Sequence, residues 1–245
     1  MRQVVQIIRR CEFGTCTSRP FQVKADDEKM YFFKGPGDWM RKDYCYETLC
    51  ARMALAYGLP VAPFDMLEVS QDILMFSVVP DVKALSPGIG FGSQKVGASS
   101  LLPVTVQHVP QELRWKILLF DWWIQNEDRI LGEMGGNVNL LWNAEGKQLV
   151  VIDHNNAFDL TFNDEAFFAG HVFGSERNRI EPAFLLAEIQ KMGTMITCFS
   201  EWTGDFPDEW LEQTGTSGDF QIEYVLSVLD RYKAIPDVFG GNNHD

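Results

Sequence analysis

The sequence predicts an α+β chain of two lobes, a small, mainly β lobe over residues 1–80 and a larger, mainly α lobe over residues 81–245. Two observations predict this. The first 80 residues alternate short β-branched and aromatic runs with polar turns around one helical stretch, whereas the rest is dominated by apolar residues at helical spacing. Charge divides in the same way. Residues 1–80 carry ten basic and ten acidic side chains, so of the total 21 and 34 the remainder hold 11 and 24, and the whole net charge of −13 lies there.

The elements follow in order. VVQII (Val4 to Ile8) is β-branched and reads as a strand, followed by a polar stretch that contains Gly14. FQVKA (Phe21 to Ala25) and MYFFK (Met30 to Lys34) flank the turn-like DDE and read as a hairpin. A helix is predicted from about Tyr46 to Tyr57, stopped by Gly58 and prevented from continuing by Pro60. Val61 to Val69 and Asp72 to Val79 read as two more strands joined at Ser70-Gln71, and residues 84–108, rich in Gly and Ser, read as irregular. Pro110 then opens a strong helix on which Leu113, Ile117, Phe120, Trp123 and Ile124 share a face. Helices are predicted near Pro182 to Phe199, Pro207 to Gln213 and Phe220 to Lys233.

Composition excludes several classes. An apolar fraction of 46%, seven Trp and 18 Phe supply a substantial core and exclude a mostly disordered chain. The acidic balance disfavours general nucleic-acid binding, which needs clustered Lys and Arg. Cys11, Cys16, Cys45, Cys50 and Cys198 form no CxxC pair, so neither a zinc site nor a disulfide framework is expected. MRQVVQIIRR lacks the features of a signal peptide, and no run reaches the ~20 apolar residues of a membrane span. The expectation is a soluble, cytoplasmic protein.

The stretch from Phe120 to Phe158 carries the chemistry. Asp128 lies in a loop just beyond the strong helix, Asn139 opens the run LLW, Asn143 to Gly146 reads as a hairpin turn, and LVVI ends on Asp153. This order suits phosphoryl transfer from ATP: one carboxylate orients an acceptor hydroxyl, while an amide oxygen and a second carboxylate hold Mg²⁺ on the triphosphate. Oxygen donors are what Mg²⁺ takes. A hairpin sets its two ends side by side, which brings Asn139 and Asp153 within reach of one ion. Upstream, Gly14 lies between the first two strands, Lys34 ends the third, and Glu47 in the following helix can pair with Lys34.

Together, DWWIQNEDR, GGNVNLL and VVIDHNNAF resemble the catalytic and metal-binding segments of the HipA-like kinases, a family distantly related to protein kinases and phosphatidylinositol kinases. YFFK and YETLCARMALAYGLPVAPFDMLEV resemble that family's lysine strand, first helix and GLPV turn; FGTCTSRPFQV resembles its phosphate loop, and GIGFGSQ a segment after the hinge. The resemblance spans roughly residues 10–160 and implies a bilobal protein-kinase-like fold. It implies Asp128 as the catalytic base, Asn139 and Asp153 as metal ligands and Lys34 as the phosphate-contacting lysine. The phosphate loop would be Gly14, Thr15, Cys16, Thr17 and Ser18, and the adenine hinge Met75 to Pro80, with Ser77, Val78 and Val79.

The sequence also departs from the pattern. Asn139 follows Asp128 by eleven residues where a kinase loop has about five, so ILGEMGG must bulge and Asn137 competes with Asn139 for the ligand role. Ile130 replaces a His found in many relatives, and His154-Asn155 stands where a protein kinase has Phe-Gly. The resemblance implies ATP and Mg²⁺ as cofactors, a Ser or Thr hydroxyl of a protein as acceptor, and, because relatives include toxin kinases of toxin–antitoxin pairs, an antitoxin or regulatory partner. A pseudokinase-like binding module and a small-molecule phosphotransferase with a cationic acceptor are the alternatives.

Overall fold

The computed structural model describes residues 1–12, 19–131 and 136–240. Five strands close into a barrel: β1 (Arg2–Arg10), β2 (Phe21–Ala25), β3 (Met30–Lys34), β4 (Phe64–Val69) and β5 (Gly88–Gln94), in the order β1-β2-β3-β5-β4. Only the β1–β4 pair is parallel; it closes the ring through Arg2↔Leu67 and Gln3↔Glu68. Inward-facing Val4, Ile7, Phe21, Val23, Tyr31, Phe33, Leu67 and Val69 fill the interior. β2 and β3 have the expected bounds, with Phe21, Val23 and Ala25 on β2 and Tyr31 and Phe33 on β3 alternating into the barrel.

The fifth strand corrects the sequence reading. Asp72 to Val79, expected as a strand, instead contains helix α2 (Gln71–Phe76) followed by a turn, because the Ser70 Oγ caps it by accepting from Ile73 N–H at 3.3 Å. GIGFGSQ, expected to be irregular, is β5. Glycine has low strand propensity, but this barrel requires it: a Cβ on Gly90 would lie 2.3 Å from the Lys34 carbonyl oxygen, and one on Gly92 would lie 2.3 Å from Leu67 Cδ1. β5 pairs with both β3 and β4, so the barrel extends past Pro80, the expected limit of the first lobe, to Gln94.

Helix α1 (Arg41–Tyr57) begins earlier than the apolar pattern indicates, since the Asp43 carboxylate accepts from Met40 N–H at 3.1 Å and Gly218 O accepts from Lys42 N–H at 2.9 Å. It ends at Gly58, which adopts a left-handed φ of 87°. The chain then crosses the end of a second, three-stranded sheet, β6 (Ser99–Ser100), β7 (Leu140–Asn143) and β8 (Gln148–Val151), where Val151 N–H donates to Pro60 O at 2.8 Å. Thus Gly58 to Val61 ties α1 to the strand that leads to Asp153.

Helix α3 (Gln111–Trp123) is buried along most of its second half and stacks against α1 through Tyr57 and Phe120, whose ring centroids are 5.5 Å apart. Around it pack α4 (Asp164–Gly170), α5 (Pro182–Ile196), α6 (Phe199–Thr203), α7 (Asp208–Leu211), α8 (Ile222–Leu229) and α9 (Ile235–Phe239), sharing with α1 and α3 one large hydrophobic core. The predicted C-terminal helices correspond to α5, α7 and α8, and α6 is additional. Among the described residues, no helix is long and apolar enough to cross a membrane.

Candidate active site

The end of β3 delivers Lys34 to the boundary between the barrel and the helical region. Its Nζ donates to Glu47 Oε2 on α1 at 2.8 Å, to Asp153 Oδ1 at 2.6 Å and to Asn155 Oδ1 at 2.9 Å, and it lies 4.9 Å from the centroid of the Trp39 ring. Glu47 is held from the other side, its Oε1 accepting from His154 N–H at 2.8 Å. Burial opposes charge on Lys34, but Asp153 and Glu47 outweigh it and raise its pKa. Burial likewise opposes charge on Glu47, yet Lys34 and the His154 contact hold it well below the usual carboxylate range. Asp153 is pushed up by burial against the pull of Lys34, with the Glu47 and Asp128 carboxylates adding to the rise. Two carboxylates, Glu47 and Asp153, share one ammonium, and the Asp128 carboxylate lies near enough to act on Asp153, which leaves room for further positive charge.

Asp128 lies in the loop after α3. Asn137 Nδ2 donates to its Oδ1 at 2.7 Å, while Asn139 Nδ2 at 3.0 Å and Asn156 Nδ2 at 3.0 Å donate to its Oδ2. Asn139 also donates to the Asp128 backbone carbonyl at 3.1 Å, so its Oδ1 is the face left for a cation. The β7–β8 register pairs Leu140 with Val151 and sets Asn139 and Asp153 at the same open end of the hairpin. Both residues have left-handed backbones, with φ of 48° and 61°. A carboxylate and an amide oxygen there are a hard, oxygen-only donor set that fits Mg²⁺ completed by phosphate oxygens. Among the described residues no group of three or more His, Cys, Asp or Glu could hold a metal unaided.

Arg129 locks this loop to the hairpin. Its fully buried guanidinium donates through Nε to Asp121 Oδ2 at 2.7 Å and through Nη1 to the Asn139 and Ile152 carbonyls at 2.6 and 3.0 Å. Asp121, near the end of α3, also accepts from Asn126 Nδ2 at 2.9 Å and lies 3.2 Å from His171 Nε2. Burial opposes the Asp121 charge, but Arg129 and His171 hold its pKa down. One buried side chain therefore spaces Asp128, Asn139 and Asp153.

Beside Asp128 opens a cleft of about 910 Å³. Asp43, Glu127, Asp159 and Asp219 join Asp128 in its wall, with Lys42 as the cation among the described lining residues.

Lys34, Glu47, Asp128, Asn139 and Asp153, separated widely in sequence, thus converge. Both Asn137 and Asn139 contact Asp128. Ser77, Val78 and Val79 do not form the connection between barrel and helical region: they lie between α2 and the return into β5, and Val78 is 97% exposed. The connection follows Gln94 instead, because β5, paired to the lysine strand at Lys34↔Phe91, is the barrel's last strand. Gly14, Thr15, Cys16, Thr17 and Ser18 lie outside the described residues; the flanking strands pair as far as Arg10↔Phe21. The sequence reading missed Trp39, Asn155, Asn156, Asp121 and Arg129. The dipeptide Asn155-Asn156 directly after Asp153-His154 was the available signal for two of them.

Solved kinase structures share this fold. A proinflammatory kinase of Helicobacter pylori, CtkA, is similar over 96% of this chain and 95% of its own, with a TM-score of 0.57 at 10% identity. The Golgi casein kinase is similar over 99% of this chain and 74% of its own, with a TM-score of 0.53 at 12% identity; its Mn/ADP-bound structure gives 0.51 at 12%, over 98% and 72%. No curated protein matches the sequence. Residues 4–236 match the HipA-like kinase family, and the chain belongs to it. Family and fold support a kinase-type phosphotransferase.

Proposed function

We propose that this chain is an ATP- and Mg²⁺-dependent protein kinase that transfers the γ-phosphoryl group to a Ser or Thr hydroxyl, with the barrel and the helical region as its two lobes. The observation that carries the reading is the convergence of Lys34, Glu47 and Asp153 on one side and Asp128 with Asn139 on the other. Lys34, oriented by Glu47, contacts the phosphates; Asp153 and Asn139 would hold Mg²⁺, which supplies charge neutralisation on the β- and γ-phosphate oxygens. A carboxylate has about four lone-pair sites, and the three amides take one on Oδ1 and two on Oδ2 of Asp128. The remaining site on Oδ1 accepts the acceptor hydroxyl. As that hydroxyl oxygen bonds to the γ-phosphorus, the bond to the ADP oxygen breaks and the proton passes to Asp128. Residues after Gln94 take the adenine edge, in place of Ser77 to Val79. The Mn/ADP complex of the similar Golgi casein kinase supports nucleotide and divalent-metal use.

The acidic cleft beside Asp128 favours acceptors with positive charge near the hydroxyl, whether a basic peptide or, in the second reading, a cationic small molecule. The family resemblance further supports a cytoplasmic, growth-inhibiting kinase with an antitoxin-like partner. Labelled ATP with and without Mg²⁺, incubated with the chain and a cell lysate, tests the reading. Expected are Mg²⁺-dependent labelling of protein by the wild type and none by Asp128→Asn, which keeps Mg·ATP binding. ATP binding without transfer by the wild type identifies a pseudokinase instead; label on a small molecule alone identifies the second reading.

A further inference from the structure

An ammonium group has three hydrogens to donate and no acceptor. In Lys34 all three are engaged, by Glu47, Asp153 and Asn155. A triphosphate that contacts Lys34 must therefore displace one partner. Glu47 and Asp153 are carboxylates, and their charge-assisted bonds hold the ammonium more tightly than a neutral amide oxygen does. Asn155 is neutral and only partly buried, so it is the cheapest to release.

The contacts do not stop at Asn155. Its Nδ2 donates to Asn156 Oδ1 at 2.9 Å, and Asn156 Nδ2 donates to Asp128 Oδ2 at 3.0 Å. The sense of each link is dictated by the two ends. Lys34 can only donate and the Asp128 carboxylate oxygen accepts, so each amide turns its oxygen toward Lys34 and its NH₂ toward Asp128.

We propose that Asn155 and Asn156 are positioning residues forming a two-amide relay between Lys34 and Asp128. Asn155 keeps the third Lys34 hydrogen occupied in the nucleotide-free protein and yields it to the triphosphate, while Asn156 orients Asp128. The relay rests on the nucleotide reading of Lys34 and Asp128. It makes Asn155 a competitor of the phosphate, so removing its acceptor strengthens nucleotide binding, which no merely structural residue would do.

Calorimetric titration of the full chain with Mg·ATP, beside a phosphotransfer assay, tests this. Asn155→Leu, which removes the acceptor at similar size, is expected to bind Mg·ATP roughly three- to tenfold tighter, the value of one released hydrogen bond. Asn155→Asp places a third carboxylate on Lys34 and is expected to bind it more weakly. Asn156→Leu is expected to lower kcat about tenfold or more with the KM for ATP unchanged. Its effect on kcat and that of Asn155→Leu should not multiply in the double variant, because both break one chain. Melting temperatures close to wild type verify that each variant is folded, and Asn155→Asp, which preserves shape, carries the test if Asn155→Leu does not fold. Wild type that binds Mg·ATP, with Asn155→Leu binding equally or more weakly, or Asn155→Asp binding as tightly as wild type, overturns the relay alone. Absence of Mg·ATP binding by the wild type overturns the nucleotide reading and the relay with it.

Discussion

Lys34 Nζ lies 2.6 Å from Asp153 Oδ1, joining the last residue of β3 to a residue 119 positions later in the chain. The contact couples the barrel to the helical region through a buried charge, and Glu47 completes it from α1.

Lys34→Ala should cost both binding and stability. It leaves Glu47, almost wholly buried, and Asp153 without their cation, and breaking one side of a buried pair costs about 3–5 kcal/mol. Chemical denaturation should show that loss, and calorimetry should show loss of ATP binding. Lys34→Met combined with Glu47→Gln should recover part of the stability and none of the binding.

Arg129→Lys should fail to replace arginine. Lysine lacks the planar fork that reaches Asp121 and the two carbonyls together, so Asn139 and Asp153 lose their spacing. The expected result is a stability loss of about 3 kcal/mol by denaturant titration, with transfer reduced more than Mg·ATP binding. Undiminished transfer in Arg129→Lys would show that Asp128 and the hairpin are spaced by other contacts.

The pH dependence of stability should carry a signature of His171. Burial holds its pKa below the ordinary 6.5, against Asp121, so the unfolded state takes up a proton more readily than the folded one. The contribution is complete above pH 6.5 and is lost as pH falls through the lower folded value. Melting temperatures at pH 7.5 and 5.5 should differ in the wild type by more than in His171→Gln. Equal differences would mean that His171 does not contribute to the acid limb.

Gly90→Ala tests the close approach of β5 to the lysine strand. The added Cβ would lie 2.3 Å from the Lys34 carbonyl and 2.6 Å from Gly35 Cα, so the backbone must move. Overpacking of this kind costs about 1–3 kcal/mol and should shift the melting temperature down. Because the shift falls on the strand carrying Lys34, ATP affinity should fall too.

Local pattern was enough for β2, β3, α3 and the β7–β8 hairpin, because alternation and 3.6-residue periodicity record which face each element buries. The order Lys34, Glu47, Asp128, Asn139, Asp153 was also legible, since Lys34, Asp128, Asn139 and Asp153 lie at or just beyond the ends of elements that show themselves in the pattern and Glu47 lies within a predicted helix. Gly88–Gln94 was not, because its glycines are favoured by Phe33, Lys34 and Leu67 across the barrel and by nothing in their own neighbourhood. Asp72 to Val79 was misread because an apolar run fits a strand as well as a helix, and one Ser70 hydrogen bond chose the helix. The Asn155-Asn156 link and the Arg129 clamp depend on residues brought together by packing over long separations. The buried Arg129 contacts gain strength because burial removes water as the competing partner, whereas the exposed Asn156 link is made by the neighbours that the fold brings to it.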